Sequence, residues 1–278
     1  MFDSGVGGLT VLRALRARLP HESFVYLGDT ARLPYGTKSP HTVTRYARQA
    51  AGVLVEHGVK MLVVACNTAS AVALPSLQQQ LAPLPVVGVV EPGAVAACQA
   101  SVHGRIAVIG TESTIRGGAY ERAISRRRAD ARVIGRACPL FVALAEEGWC
   151  EGSIAEAVAE RYLGDLRPQP GDPASIDCLV LGCTHFPVLR PALCRVMGPA
   201  VTLVDSAETT AEAVAQILAR DGRMEGRVEG RMDGRVGSGG GSGEVVLLAT
   251  DGPERFARVG ARFVGLELSP EAVTLVDL

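Results

Sequence analysis

The amino-acid sequence predicts an α/β protein built on parallel β-sheet, and two observations support this fold class. Short, continuously aliphatic runs recur along the 278 residues, and longer stretches of helical period separate them. Strands that are apolar on both faces are typical of parallel sheets that helices cover on both sides. Hydrophobic residues make up 47% of the chain, which is ample material for such a buried sheet.

The aliphatic runs are the predicted strands. Each is four to six residues long, which is the usual length of a strand in a globular protein. In chain order they occupy residues 24–28, 61–65, 86–90, 105–110, 132–135, 178–182, 201–204 and 245–249.

The stretches between the runs are predicted to be helical because their apolar residues recur every three or four positions. In the stretch 206–219, for example, one face carries Ala211, Val214, Ala215 and Leu218. The predicted helices cover residues 9–19, 41–57, 114–128, 151–163 and 206–219.

Composition argues against several classes of protein. A net charge of −1 is unlike that of a protein that coats nucleic acid. No aliphatic run is long enough to cross a bilayer, and the first residues carry no secretion signal. The seven cysteines include no CxxC pair, so the sequence indicates neither a disulfide framework nor a zinc site. We therefore predict a cytoplasmic protein with reduced thiols, without a metal or a membrane segment.

Two of the cysteines stand out because each directly follows a predicted strand. Cys66 lies in LVVACNTAS at 62–70, and Cys183 lies in LVLGCTHFP at 179–187. Ligands of parallel sheets bind at the carboxyl ends of the strands, and the Asn, Thr and His side chains beside these thiols can hydrogen-bond a small anion. The other cysteines are interpreted as small buried hydrophobic residues: Cys98, Cys138, Cys150, Cys178 and Cys194.

Two loops add polar groups near predicted strand ends. DSGVGG at 3–8 offers an acid, a hydroxyl and a glycine-rich turn, although it matches neither the Rossmann nor the Walker spacing. LPYG at 33–36 adds Tyr35. Alone, Asp3 and Ser4 would be read as a helix cap and LPYG as a turn. The combination of these loops with two cysteine motifs favours a ligand site.

A pair of thiols is suited to removing and returning a proton. The reference pKa of a thiol, about 8.5, lies near neutrality and responds to neighbouring charges. A thiolate on one side of a carbon atom and a thiol on the other could invert that carbon, which is two-base racemisation. Two mirror-image substrates require two facing acid–base groups, and this accounts for the repeated motif.

Eight segments resemble those of bacterial glutamate racemases, a branch of the aspartate/glutamate racemase superfamily. In chain order they read FDSGVGGL, YLGDTARLPYGTKS, VVACNTASA, GVVEPG, AVIGTESTI, CPLFVALAEEGW, LVLGCTHFPVL and VDSAETTA. The resemblance implies cofactor-independent interconversion of L- and D-glutamate, which supplies D-glutamate for peptidoglycan. It also implies two flavodoxin-like domains with pseudo-two-fold symmetry that face a central cleft.

The resemblance also implies domain boundaries. The first domain would comprise residues 1–90 and 203–278, and the second residues 91–202, with the strand at 201–204 beginning the return to the first domain. The family has a longer apolar strand before the DSG turn, so we expect the natural product to begin upstream of Met1. The intact mass of the native protein tests this. The family also offers several dimer arrangements, which makes a homodimer an expectation here.

The residue roles are those that the resemblance carries over. Cys66 would take the proton from D-glutamate and Cys183 from L-glutamate. Asp3 would assist the first thiol, and Glu146 and His185 the second. The residues that match the family's substrate-binding positions are Asp3, Ser4, Tyr35, Gly36, Asn67, Thr68, Thr184 and His185. The resemblance implies glutamate as the small-molecule substrate and no cofactor, metal or nucleic acid.

Two alternative functions stay open. A racemase of the same superfamily that acts on aspartate or hydantoins would also use twin thiols. A glutamate-binding protein that has lost turnover would keep the same pocket, and the short segment before Asp3 favours this alternative. The choice of Glu146 over the adjacent Glu147 rests on the local sequence ALAEEG.

The segment 221–243 differs from the rest of the chain. It repeats x-Gly-Arg-Met/Val and ends in a Gly/Ser tract, which predicts a flexible insert. An Arg-Gly tether for nucleic acid is the alternative, but the interspersed acidic residues nearly cancel the arginine charge.

We expect a variant that joins Asp221 to Gly243 through a short turn to racemise its substrate at an unchanged rate. Its stability should be equal or slightly higher, because the cost of loop closure grows only logarithmically with loop length. Steady-state kinetics and thermal unfolding measure both quantities. A large rise in KM for glutamate would show that the insert contributes to the cleft.

Overall fold

The computed structural model describes residues 1–169, 172, 174–224 and 243–278. Within these ranges every strand pairing is parallel, and helices lie between consecutive strands. The predicted α/β class with parallel sheet is therefore confirmed. Most of the predicted insert falls on residues outside these ranges, so its flexibility stays a prediction.

The described strands form two separate sheets. In chain order the strands are β1 (Phe2–Asp3), β2 (Phe24–Gly28), β3 (Leu62–Val64), β4 (Val86–Gly88), β5 (Arg105–Gly110), β6 (Arg132–Ala137), β7 (Cys178–Gly182), β8 (Thr202–Asp205), β9 (Val245–Ala249) and β10 (Val273–Leu275). The first sheet has the order β10-β9-β2-β1-β3-β4, and the second has the order β6-β5-β7-β8.

The described helices cover the sheets. They are α1 (Leu9–Arg18), α2 (Pro40–Glu56), α3 (Asn67–Leu81), α4 (Val90–Ala100), α5 (Glu112–Arg116), α6 (Ala119–Arg127), α7 (Leu140–Glu147), α8 (Ser153–Leu163), α9 (Arg190–Met197), α10 (Ala207–Arg220) and α11 (Pro253–Val264).

Most predicted elements lie within two residues of the observed ones. One prediction is wrong: the stretch 114–128 is not a single helix but the two helices α5 and α6. Gly117 and Gly118 separate them, and Gly118 has a φ of +59° at the start of α6. Glycine adopts this left-handed conformation at little cost, whereas a helix cannot continue through it.

The strand predicted at 201–204 lies in a different sheet from the one we expected. β8 pairs with β7, with Cys178 opposite Thr202, so it closes the edge of the second sheet. Leu203 is buried in the core of that sheet. The return to the first sheet therefore begins one element later, with α10, which packs against α1.

Two elements near the end of the chain were not singled out from the sequence. α11 buries Phe256, Val259 and Phe263 in the core beside α1, and β10 extends the first sheet at its edge. For α10 the predicted face is confirmed, because Ala211, Val214, Ala215 and Leu218 are all buried. No helix in the described ranges is both long and apolar enough to cross a membrane.

The order of strands determines which loops meet. β1 lies between β2 and β3 in the first sheet, with Phe2 opposite both Leu27 and Val64. Although β1 is only two residues long, this central place puts Asp3 at its carboxyl end next to the loop that carries Cys66. In the second sheet, the loop after β7 carries Cys183. Both cysteines therefore follow carboxyl ends of parallel strands.

Candidate active site

Both cysteine motifs line the same small pocket. The cavity volume of this pocket is about 30 Å³, well below the volumes of about 300–1,000 Å³ that are usual for small-molecule sites, so the two walls lie close together in this structure. Its lining residues are Ser4, Pro34, Tyr35, Gly36, Cys66, Asn67, Thr68, Thr111, Val142, Cys183, Thr184 and His185. The first sheet's loops supply one wall and the second sheet's loops the other, so the two thiols come from opposite sides.

Cys66 occupies the N-cap position of α3. Its sulfur accepts a hydrogen bond from the Ala69 backbone N–H at 3.5 Å and donates one to Ser4 Oγ at 3.6 Å. Burial, and then the negative charge of Asp3, raises the pKa of the Cys66 thiol to about 12. Cys66 is therefore a protonated thiol at neutral pH when no ligand is bound.

Asp3 lies behind the pocket lining and is completely buried. One carboxyl oxygen accepts a hydrogen bond from the Gly5 backbone N–H at 3.0 Å, and the other accepts one from Thr184 Oγ1 at 3.3 Å. Burial raises the pKa of Asp3, while the positive charge of His185 opposes this rise. The carboxyl group links the turn after β1 with the second cysteine motif.

Cys183 is the first residue in a series of polar contacts that runs through His185 and Glu146 to Arg255 and so joins the two sheets. Its sulfur lies 3.9 Å from Nδ1 of His185, whose Nε2 lies 3.1 Å from Glu146 Oε1. The other carboxylate oxygen of Glu146 accepts a 2.6 Å hydrogen bond from Arg255 on α11. Glu147, next in sequence, is exposed. The structure thus places Glu146, and not Glu147, against the histidine.

His185 is buried yet favours its charged form. Burial lowers the pKa of a histidine, but here the hydrogen bonds to Cys183 and Glu146, together with the charges of Cys183 and Asp3, outweigh it and raise the pKa of His185 to about 10. The pKa of Glu146 is lowered, because contacts with His185 and Arg255 outweigh its own burial. The second thiol therefore faces an imidazolium ion at neutral pH.

We expect Glu146→Gln to lower the pKa of His185, because it removes the negative charge that stabilises the imidazolium. NMR titration of the His185 ring would measure this. Glu147→Gln is the matched control, since the same change at an exposed neighbour should leave the pKa of His185 near 10. Equal pKa values in the two variants would contradict the assigned contact.

The same shift makes stability depend on pH. The pKa of His185 is about 10 in the folded protein against an ordinary value of 6.5, so its contribution to stability is complete below about pH 6.5 and is lost as the pH rises through 10. Glu146→Gln should therefore lose less stability than the unmodified protein between these two pH values. Denaturant unfolding at several pH values checks the difference.

The glycines of DSGVGG allow the two walls to approach each other closely. A Cβ atom on Gly7 would lie 2.4 Å from both His185 Nδ1 and Thr184 Oγ1, and one on Gly8 would lie 2.6 Å from Asp3 Cβ. At contacts below 3 Å one of the two sides must shift, so only glycine fits at Gly7 without displacing either the turn or the second cysteine motif.

The predicted binding residues reach the pocket in different ways. The hydroxyl of Tyr35 donates to the buried Asp29, so this residue lines the pocket while its hydroxyl is engaged elsewhere. The Oγ1 atoms of Thr68 and Thr111 lie 2.9 Å apart. A Cβ atom on Gly36 would lie 2.5 Å from Thr111, so the 33–36 loop packs directly on the second sheet's wall.

Sequence reasoning missed Thr111 and Val142 as lining residues and Tyr120 as the buried hydrogen-bond partner of Asn67. Thr111 directly follows β5, just as the cysteine motifs follow β3 and β7, so the strand-end rule could have found it. Tyr120 lies inside a helix, and nothing in the local sequence distinguishes it. Within the described ranges, no group of His, Cys, Asp and Glu side chains could hold a metal ion.

Residues 10–214 match the model of the Asp/Glu/hydantoin racemase family. The chain belongs to this family. Among relatives in the family, the glutamate racemase of Geobacter metallireducens is 50% identical over 268 residues, which cover 96% of this chain and 93% of that protein.

Solved structures of family members share the whole fold. A glutamate racemase isoform from Bacillus anthracis matches with a TM-score of 0.88 and 34% identity, covering 100% of this chain and 96% of that one. A glutamate racemase from Francisella tularensis, solved with D-glutamate, matches with a TM-score of 0.85 and 32% identity, covering 99% and 96%. The predicted fold of two flavodoxin-like domains and the resemblance to the racemase family are confirmed.

Proposed function

We propose that the protein interconverts L- and D-glutamate by two-base proton transfer, with Cys66 and Cys183 as the two acid–base groups. The observation that carries the proposal is that these two thiols, from different sheets, line one small pocket. The relation to curated glutamate racemases at 50% identity supports glutamate as the substrate.

The surroundings of the two thiols differ. Cys66 is held as a thiol by burial and by Asp3. The charged ring of His185, hydrogen-bonded to Glu146, lies 3.9 Å from the sulfur of Cys183. In the reaction of L-glutamate, Cys183 removes the α-proton as a thiolate, and Cys66 delivers its own proton to the opposite face.

The reverse direction uses the state that this first reaction leaves behind. After L-glutamate has been converted, Cys183 carries the proton and Cys66 is the thiolate. That form removes the α-proton of D-glutamate and returns one from Cys183. In this proposal Asp3 assists proton transfer at Cys66, and His185 with Glu146 assists it at Cys183.

The polar lining supplies groups for the two carboxylates and the ammonium of glutamate. We assign substrate binding to the predicted set, which is Asp3, Ser4, Tyr35, Gly36, Asn67, Thr68, Thr184 and His185. Of these, Asp3 acts from behind the lining, through its hydrogen bonds to Gly5 and Thr184. These residue roles come from the family resemblance, and the position of the residues around the pocket supports them.

The wider setting is also proposed on the resemblance. We infer that the D-glutamate serves peptidoglycan synthesis and that the enzyme works in the cytoplasm, as a homodimer in one of the arrangements that the family uses. The domain division that we propose follows the prediction with one change: because β8 lies in the second sheet, the first domain resumes after Asp205.

Circular dichroism of the substrate solution tests the proposal. With no added cofactor, the signals of L-glutamate and of D-glutamate should each decay to zero, whereas that of L-aspartate should persist. Decay with aspartate alone would favour the aspartate-racemase alternative. Binding of glutamate without any decay would favour a non-catalytic binding protein.

A further inference from the structure

Tyr120, a buried residue of α6, contacts both cysteine motifs although the proposed mechanism does not use it. Its hydroxyl oxygen accepts a 2.7 Å hydrogen bond from Nδ2 of Asn67, the residue after Cys66. Its ring packs on Gly182, the residue before Cys183, where a Cβ atom would lie 3.1 Å from the ring. A single side chain therefore joins the neighbours of both thiols.

The ring of Tyr120 has little freedom to move. On α4, a Cβ atom added to Gly93 would lie 3.1 Å from both the ring and the hydroxyl of Tyr120. The hydroxyl is also hydrogen-bonded to Ser206, at the start of α10. Burial raises the pKa of Tyr120, so the phenol stays neutral. It acts as a fixed hydrogen-bonding group and not as an acid or a base.

Asn67 is left with one unused atom. The residue is 3% exposed and lines the pocket, and its Oδ1 is buried without a hydrogen-bond partner among the described residues. A buried acceptor that lacks a partner is costly, so a ligand that supplies a donor would gain by entering. Nδ2 donates one of its two N–H groups to Tyr120, which fixes the orientation of the amide, so Oδ1 is the polar atom of Asn67 that still lacks a partner.

The chemistry of an amino-acid substrate identifies the donor. At neutral pH both carboxylates of glutamate are acceptors only, whereas its ammonium group is a donor only. The orphan oxygen of Asn67 is therefore complementary to the ammonium group. An amide that was free to rotate would present its NH₂ group to the pocket as readily as its oxygen.

We propose that Tyr120 is a positioning residue that holds the Asn67 amide with its oxygen available to the substrate ammonium group. This inference rests on the proposed function, because it takes the substrate to be an α-amino acid. In this inference Oδ1 of Asn67, on the side of the first sheet, recognises the ammonium group, and Tyr120, on the side of the second sheet, orients it. Substrate affinity therefore depends on how the two sheets are positioned relative to each other.

Tyr120→Phe tests the proposal because it removes the hydroxyl and keeps the ring. We expect KM for glutamate to rise about tenfold in both directions while kcat changes little, since the lost contact orients the substrate in the ground state as well. Tyr162→Phe is the matched control. Its hydroxyl also accepts a hydrogen bond, from the backbone N–H of Leu140, but Leu140 does not line the pocket as Asn67 does, so KM should not change.

Inhibition by glutarate, which has both carboxylates but no ammonium group, separates orientation from general damage. Its inhibition constant should be the same for Tyr120→Phe and the unmodified enzyme. Neither KM nor an inhibition constant depends on the amount of active protein, so partial unfolding cannot imitate this pattern.

Two results would overturn the inference. An unchanged KM in Tyr120→Phe would show that the tyrosine does not position Asn67. A parallel loss of affinity for glutarate would show that the amide recognises a carboxylate and not the ammonium group. If the unmodified protein does not racemise glutamate, the proposed function itself fails, and this is seen before any variant is compared.

Discussion

Cys66→Ala and Cys183→Ala should each reduce racemisation by at least about 10³-fold, the scale expected when an acid–base group is removed and no other is in reach. Either change should affect both directions. L- and D-glutamate have equal free energies in solution, so kcat/KM must stay equal in the two directions whichever thiol is lost. Coupled assays from each enantiomer would measure this.

The matched control for these variants is Cys178→Ala. Cys178 is also fully buried and lies on β7, five positions before Cys183. It therefore tests whether loss of a buried thiol in this strand harms the enzyme by disturbing the fold. We expect Cys178→Ala to keep most of the activity, as should alanine at the other cysteines. Near-normal turnover in Cys66→Ala or Cys183→Ala would refute the assignment of the two acid–base groups.

Gly7→Ala should reduce kcat/KM by about 10²-fold, the effect expected when reacting groups move by about 1 Å. The added methyl group would lie 2.4 Å from His185 Nδ1 and from Thr184 Oγ1, so either the turn or the second cysteine motif must move. The free energy of unfolding should fall by less than the activation free energy of the reaction rises, because the displaced atoms belong to side chains at the pocket and not to a packed core.

Gly52→Ala is the control for the same substitution in open space. Gly52 lies in α2, and a Cβ atom there meets no heavy atom within 4 Å. Alanine favours a helix over glycine by about 1 kcal/mol, so this variant should be slightly more stable and equally active. If Gly7→Ala also retains full activity, the close approach of the turn to His185 is not needed for the reaction.

The positions of the thiols could be predicted because they follow from local rules. An aliphatic run that ends in a small residue and a cysteine places that cysteine at a strand end, and parallel sheets gather such ends at one edge. The same rule applies to Thr111 after β5. The strand-end rule thus located much of the pocket lining, and the family resemblance added the residue roles.

The contacts behind the lining could not be predicted from local sequence. The link from His185 through Glu146 to Arg255 joins residues on three separate elements, and Glu146 and Arg255 lie 109 positions apart. Nor does a four-residue aliphatic strand such as β8 indicate which sheet it joins. These features depend on how the two sheets pack, which hydrophobic periodicity does not encode.

The hydrogen bond between Tyr120 and Asn67 is another contact that could not be predicted from local sequence, and it lies beside the substrate pocket. Asn67 could be placed in the site from its position after Cys66, but which end of its amide faces the substrate depends on a tyrosine 53 residues away. The direction of the Tyr35 hydroxyl, toward Asp29 and not toward the ligand, likewise follows only from the packed loop.

Deuterium incorporation during early turnover tests the two-thiol mechanism most directly. In deuterated water, starting from either enantiomer, the product should carry deuterium at Cα, because the opposite thiol delivers a solvent-derived proton. The remaining substrate should carry little deuterium, because the abstracting thiol holds a single proton and can return it. If the original α-proton is instead transferred intact to the product, a single base serves both faces, and the mechanism proposed for Cys66 and Cys183 is wrong.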